Sequence, residues 1–207
     1  AQELMETAKE KGLDTTEVNY VNGEIKYSKG DYEDARSIFQ KCIEDSDDAY
    51  IQMRSYIMEA KCIDKQDDSV DGKKRKMKLL KKAKKELPKE NNIGILEELA
   101  QTYSDLGNDT GDTDYYQKAI SVFKQIQSQG MGDYNTGYNM SVLYQNLDDY
   151  SSAEQELMQL LDNYGEDYKT YKSLAFLEVS RQDQLPKEQR DYSKFKEYYE
   201  KAHDLYQ

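Results

Sequence analysis

An all-α fold built from repeated antiparallel helix pairs is what this sequence predicts, and three observations carry that expectation. Glycine and proline are sparse, 11 and 2 in 207 residues, so few positions force a turn or break a helix. Most windows place apolar residues three and four apart, the period of one helix face, and strand-like alternation is missing. Similar stretches also return at spacings of 34 to 43 residues, the mark of an array of small units. Composition alone points elsewhere. Leu, Ile, Val and Phe together make up fewer than one residue in five, and the net charge is −12, values usual in disordered chains. The 19 tyrosines remove the conflict, because their rings pack while their hydroxyls stay in water.

From the N-terminus, residues 1–15 read as the second helix of a truncated leading repeat: Ala1, Met5 and Ala8 show small, large, small spacing, and Ala8 stands 34 residues before Cys42. The first full unit, 16–49, has a helix over 18–28, a turn at Gly30, and the motif GDYEDARSIFQKCIE with Ala35, Phe39 and Cys42 on one face. The second, 50–92, has a helix over 50–62, the weaker copy Lys76, Leu80 and Ala83, and Pro88 at its close. In the third, 93–133, a helix over 96–105 precedes Ala119, Phe123 and Ile126. The fourth, 134–167, joins a helix over 134–146 to Ala153, Leu157 and Leu160. In the fifth, 168–207, a helix over 168–180 precedes Phe195, Tyr199 and Ala202.

A tyrosine stands three residues before the small site in four units, at Tyr32, Tyr116, Tyr150 and Tyr192. The small site lets a neighbouring helix approach and the large residue fills the space beside it. One hairpin cannot bury both its faces, so the pattern must be iterated to be stable. Polar inserts around 67–72, 108–114 and 181–190 are expected to lengthen turns on one edge. The partial first unit, and the lack of a polar solvating helix after the fifth, suggest a piece of a longer protein.

This pattern resembles the tetratricopeptide repeat family. Gly23 and Gly30 match in the first unit; Leu96, Leu99, Ala100, Tyr103 and Gly107 fall on the family's Trp, Leu, Gly, Tyr and Gly sites in the third; Pro88 stands where the family's proline belongs. The resemblance implies a right-handed α-solenoid superhelix of helix pairs. It further implies that the first helices line a concave surface holding an extended peptide or a segment of a partner protein. At the matching positions that surface would present Tyr20, Glu24 and Tyr27, then Arg54, Met58 and Lys61, then Glu97 and Gln101, then Tyr138, Val142 and Asn146, then Lys172 and Phe176. Aromatic anchors mixed with hydrogen-bonding groups suit recognition. The carboxylate clamp of chaperone-binding members needs Lys and Asn where this chain has Tyr20 and Glu24, which argues against that role.

Chemistry is thinly represented. No phosphate-cradling glycine loop, two-histidine metal helix, paired-cysteine motif or nucleophile elbow is present, so neither an enzyme nor a cofactor is expected. His203 is the one histidine and reads as a surface residue; Cys42 and Cys62 read as buried thiols. The acidic loop over 108–114 lacks calcium-loop spacing and reads as a solvated turn. The basic run over 73–85 places Met77, Leu80, Ala83 and Leu87 on one face, so its cations read as a solvated face. Docking of an acidic segment, anionic lipid or nucleic acid on that face is the alternative.

The overall acidity argues against nucleic acid as main partner, and no stretch is long and apolar enough to span a membrane. Exposed repeat ends offer a surface for stacking copies into a homo-oligomer. The expected compartment is the cytoplasm, or outside it if the parent is membrane-anchored. A non-catalytic binding scaffold is the leading reading; the rival is a sensory or structural appendage, like the repeat tails of some bacterial serine/threonine kinases.

Overall fold

The computed structural model describes residue 7, residues 10–12 and residues 15–206. Ala1, Met5 and Ala8, which carried the expected leading half repeat, lie outside the described residues. Among the described residues the chain is helical with no strand. The helices are α1 (Thr15–Ser28), α2 (Tyr32–Asp45), α3 (Ala49–Gln66), α4 (Val70–Glu86), α5 (Ile93–Thr110), α6 (Thr113–Ser128), α7 (Tyr134–Asn146), α8 (Tyr150–Tyr164), α9 (Tyr168–Asp183) and α10 (Ser193–Tyr206). Short 3-10 turns over Lys89–Asn91 and Lys187–Gln189 precede α5 and α10.

Helix starts follow from short polar side chains that accept the unpaired amides of a first turn. Asp48 accepts from Tyr50 N at 2.7 Å, Ser69 from Gly72 N at 3.2 Å and Asp149 from Ser152 N at 3.1 Å. Asp133 and Asp167 each hold the amide three residues on, Thr136 at 2.8 Å and Thr170 at 2.9 Å. At the other end of α5, Gly111 takes φ +69°, left-handed backbone where a Cβ would be strained.

Two compact units result, Ala1–Tyr115 and Tyr116–Gln207. In the first, α2 packs on α1 and α3, and α4 on α3 and α5; α3 also meets α1 and α5. In the second, α8 packs on α7 and α9, and α9 on α10. The motif residues form the cores: Ala35, Phe39 and Cys42, then Leu80 and Ala83, then Ala119, Phe123 and Ile126, then Ala153, Leu157 and Leu160 are all buried. In the last copy Ala202 is buried, but Tyr199, at the position of Leu157, is 58% exposed; Tyr198 beside it is buried, as Val122 is beside Phe123.

Two of the three polar inserts do not lengthen turns. α3 runs on to Gln66 and α4 begins at Val70, while α5 runs to Thr110 and α6 begins at Thr113. The extra residues extend α3, α4 and α5 to 18, 17 and 18 residues, against 14 in α1 and in α2. Polar residues tolerate this because they sit at solvent-facing helix ends, and Thr110 Oγ1 returns a hydrogen bond to Leu106 O at 2.6 Å. The third insert is a true loop. Arg190 ties it down by donating to Leu185 O at 2.9 Å and to Asp183 O at 3.1 Å.

Candidate functional site

In the first unit, α1 and α3 bring three of the expected residues, Tyr20, Glu24 and Arg54, together. Arg54 donates to Glu24 Oε1 at 3.2 Å and lies 4.4 Å over the Tyr20 ring and 5.7 Å from that of Tyr50. Tyr20 itself is buried at 6% exposure, packed against Phe39 with ring centroids 5.5 Å apart. Burial first, then the Glu24 carboxylate, drives its hydroxyl pKa well above the ordinary tyrosine value. Tyr20 therefore carries Arg54 from beneath and does not stand free on the surface. Tyr27 and Met58 are half-buried against the same core, which includes Cys62, and the Tyr27 ring meets Tyr32 edge-on at 5.2 Å. Lys61 is exposed on α3; on α5, Glu97 and Gln101 are exposed, and Gln101 donates to Asp105 one turn on at 2.8 Å.

In the second unit, the Tyr138 ring stacks on Tyr134 at 6.1 Å, and Lys169 Nζ lies 4.1 Å from its centroid. Ser173 donates to the Tyr138 hydroxyl at 3.2 Å. These contacts lock the Tyr138 rotamer. Val142, 40% exposed, and Phe176, 59% exposed, occupy the same register position on α7 and α9, 34 residues apart. Lys172 lies 5.6 Å from the Tyr168 ring and 6.0 Å from Phe176, and Asn146 is exposed where α7 ends. The surface offers apolar area beside a cation, which suits a ligand with an aliphatic or aromatic side chain and a neighbouring carboxylate.

Sequence reasoning missed Tyr50, Tyr134, Lys169 and Ser173, which position the residues it named. The signal was present: Tyr50 and Tyr134 each precede a named residue by one helical turn, four positions away, where side chains meet. The groups that could do covalent chemistry are poorly placed for it. Burial pushes the Cys42 and Cys62 thiols up to about 11, so little thiolate exists near neutrality. His203 is exposed and 3.5 Å from Asp204 on its own helix. Among the described residues, no group of three or more His, Cys, Asp or Glu is arranged to hold a metal ion, and no helix is long and apolar enough to cross a membrane. In the basic run, Leu80 and Ala83 face the core, and Lys74, Lys78, Lys81 and Lys85 form an exposed stripe along α4.

No curated protein matches the sequence. Among solved structures, a double mutant of MamA RS-1 is similar at 13% identity, covering 93% of this chain and 95% of that one with TM-score 0.68. MamA from Desulfovibrio magneticus RS-1 is similar at 14% identity, over 93% of this chain and 96% of that one, TM-score 0.68. The apo form of RapI is similar at 13% identity and TM-score 0.57, over 98% of this chain but 58% of its own. At such identities the likeness speaks for the fold alone. Residues 93–126, spanning α5 and most of α6, and residues 16–44, spanning α1 and α2, each match a tetratricopeptide repeat model. The chain is thus a tetratricopeptide repeat protein with an all-α, α-solenoid fold.

Proposed function

We propose that this chain is a non-catalytic protein-interaction scaffold that binds an extended peptide, or an extended segment of a partner, on the exposed faces of its first helices. The tetratricopeptide repeats support protein interaction as the general role. The observation that carries the finer reading is the pair Val142 and Phe176, two apolar side chains held exposed at one register position of consecutive first helices. Nothing in folding requires an apolar residue there. Water costs such a surface free energy roughly in proportion to its area, at about 25 cal/mol per Å², and a ligand side chain would recover it. Beside them, Tyr138 and Lys172 supply a fixed ring and a cation that orient the guest.

The test is selection of peptides from a random display library on the intact chain, followed by affinity measurement against Val142→Ser and Asn146→Ala. Selected peptides should lose at least about tenfold in affinity, while the thermal midpoint stays within a degree or two, because exposed substitutions usually change stability by under about 0.5 kcal/mol. Peptides that bind both variants as well as the native chain would sink the proposal.

A further inference from the structure

The second unit shows how one helix is received by the pair before it. α9 lies on α8, and its first turn, capped by Asp167, is met by the Tyr134 hydroxyl, 3.2 Å from Asp167 Oδ1 and 2.8 Å from Thr170 Oγ1. Lys169 covers the Tyr138 ring, and at the far end Arg181 donates to Glu154 on α8 at 2.6 Å. Ala153, Leu157 and Leu160 are buried in the same cluster as Tyr171, Leu174 and Leu177 of α9.

The pair α9–α10 repeats that seat, and among the described residues no helix lies on it. Tyr168 stands where Tyr134 does, and Phe195, Tyr199 and Ala202 stand where Ala153, Leu157 and Leu160 do. Even the closing ring pair recurs: Tyr164 meets Tyr134 edge-on at 5.8 Å, and Tyr206 meets Tyr168 at 4.9 Å. Between α9 and α10 lies a groove of about 340 Å³ whose walls include Phe176, Tyr199 and Tyr206, which are 59, 58 and 74% exposed. The seat differs from its predecessor in charge at both ends. Tyr138 is replaced by Lys172, and Glu154 by Lys196; among the described residues no carboxylate side chain lines the groove. Lys196 is met only loosely by Glu200, at 3.9 Å.

From these correspondences we infer that the groove between α9 and α10 is a docking site for an amphipathic helix of a partner protein, similar to α9 but with its end charges reversed. A guest carrying Lys at the place of Lys169 would meet Lys172, and Arg at the place of Arg181 would meet Lys196. Acidic residues at both places turn two repulsions into two ion pairs, twelve residues or about 18 Å apart along the helix. The first of them also lies in the guest's first turn, where the helix dipole favours negative charge. The Tyr168 hydroxyl is free to meet an Asp–Thr first turn as Tyr134 does. The proposal goes beyond the peptide reading: it adds α10, which the first-helix face does not contain, and its guest is a helix.

Two helix-stapled peptides copying residues 165–183 test it, one native and one with Lys169→Glu and Arg181→Glu, titrated by fluorescence anisotropy against the full chain. The charge-reversed peptide should bind more tightly by roughly tenfold, the combined effect expected of two exposed ion pairs. The preference should invert on the Lys172→Glu, Lys196→Glu chain, and Tyr199→Ser should abolish binding of both. Equal affinities, no binding of either peptide, or binding that survives Tyr199→Ser would overturn the inference. So would dimerisation of the native chain that Tyr199→Ser removes, since the groove would then belong to a second copy. Lys172 belongs to both surfaces, but Tyr199 and Lys196 lie outside the first-helix face, and Val142 and Asn146 outside the groove, so Tyr199→Ser tests the groove alone and Val142→Ser the first-helix face alone.

Discussion

Lys76 occupies the small site of its repeat, yet its ammonium is nearly buried, held 2.6 Å from Asp64 on α3 and 3.1 Å from Glu98 on α5. Burial pulls its pKa down, but the two carboxylates outweigh that and leave it above the usual lysine value. Two other second helices reach forward from the residue after the small site: Arg36 donates to Glu59 at 3.3 Å, and Glu154 accepts from Arg181 at 2.6 Å. Removing one partner of a buried pair strands the other's charge. Lys76→Ala should therefore cost about 2–3 kcal/mol, toward the low end because Asp64 and Glu98 keep 35% and 25% side-chain exposure. Lys82→Ala, 60% exposed, should cost under about 0.5 kcal/mol. Urea midpoints decide; equal effects would contradict a structural role for the buried cation. The helix caps predict a pH dependence. Burial pushes the Asp133 carboxyl up, but hydrogen bonds from Thr136 prevail and hold it below its ordinary 3.8; those from Ser152 lower Asp149 directly. A depressed pKa means the unfolded chain takes up the proton first, so this stability is full above the unfolded value and is lost as pH falls through the folded one. On acidification from about pH 5 to about pH 3, Asp133→Asn should lose less thermal stability than the native chain. A parallel fall in both would contradict the cap's role.

At the scale of the element, helices approach where one of them has no side chain. A Cβ added at Gly23 of α1 would come 2.6 Å from Phe39 Cε1 of α2, and one at Gly137 of α7 would come 2.8 Å from Leu160 Cδ2 of α8. The glycine of a first helix thus receives a motif residue of its partner, the large Phe39 in one pair and the third-position Leu160 in the other, and the contact sets how closely the pair can pack. Gly23→Ala should destabilise by about 1–3 kcal/mol through overpacking, although alanine is the better helix former. Adding Phe39→Leu should recover part of the loss, since the shorter side chain vacates the contested space. Denaturant titration of the two variants checks this; a neutral Gly23→Ala would show that the interface yields. Length is the second property set at this scale. A few added residues in the second and third repeats were absorbed as further helical turns, because each turn of 3.6 residues returns the apolar stripe to the same face.

For the molecule as a whole, the two compact units differ in their chemical handles. Both thiols lie in the first unit, Cys42 at 1% and Cys62 at 0% exposure, and both are held protonated by burial. Reaction with a disulfide reagent near pH 8 should run at least about a hundredfold slower than for a free thiol, because attack requires an opening reaction. In urea the two should become reactive together, with one midpoint, and that midpoint reports the first unit alone. Rapid labelling in buffer would contradict the packing of α1 to α3 around these residues. The net charge of −12 adds a second expectation for binding: any guest with an excess of carboxylates is repelled at long range and attracted only near Lys172 and Lys196. Moderate salt should therefore speed its association, in contrast to partners steered by opposite net charge.

What the sequence determined by itself was local: ten described helices, the motif repeated on α2, α4, α6, α8 and α10, their aspartate and serine caps, and the burial of Ala35, Phe39, Ala119, Phe123, Ala153 and Leu157. Periodicity encodes these features because the helix period alone puts the motif on one face. What only the tertiary structure decided was what stands against that face. Tyr20 and Tyr138 occupy similar positions on first helices, yet the first is buried against Phe39 and the second is half-buried against Tyr134 and Lys169. Leu157 is covered by the next helix pair while its counterpart Tyr199 is 58% exposed. The same pattern produces core where another pair packs on it and an open groove where, among the described residues, none does, and no window of sequence contains that neighbour.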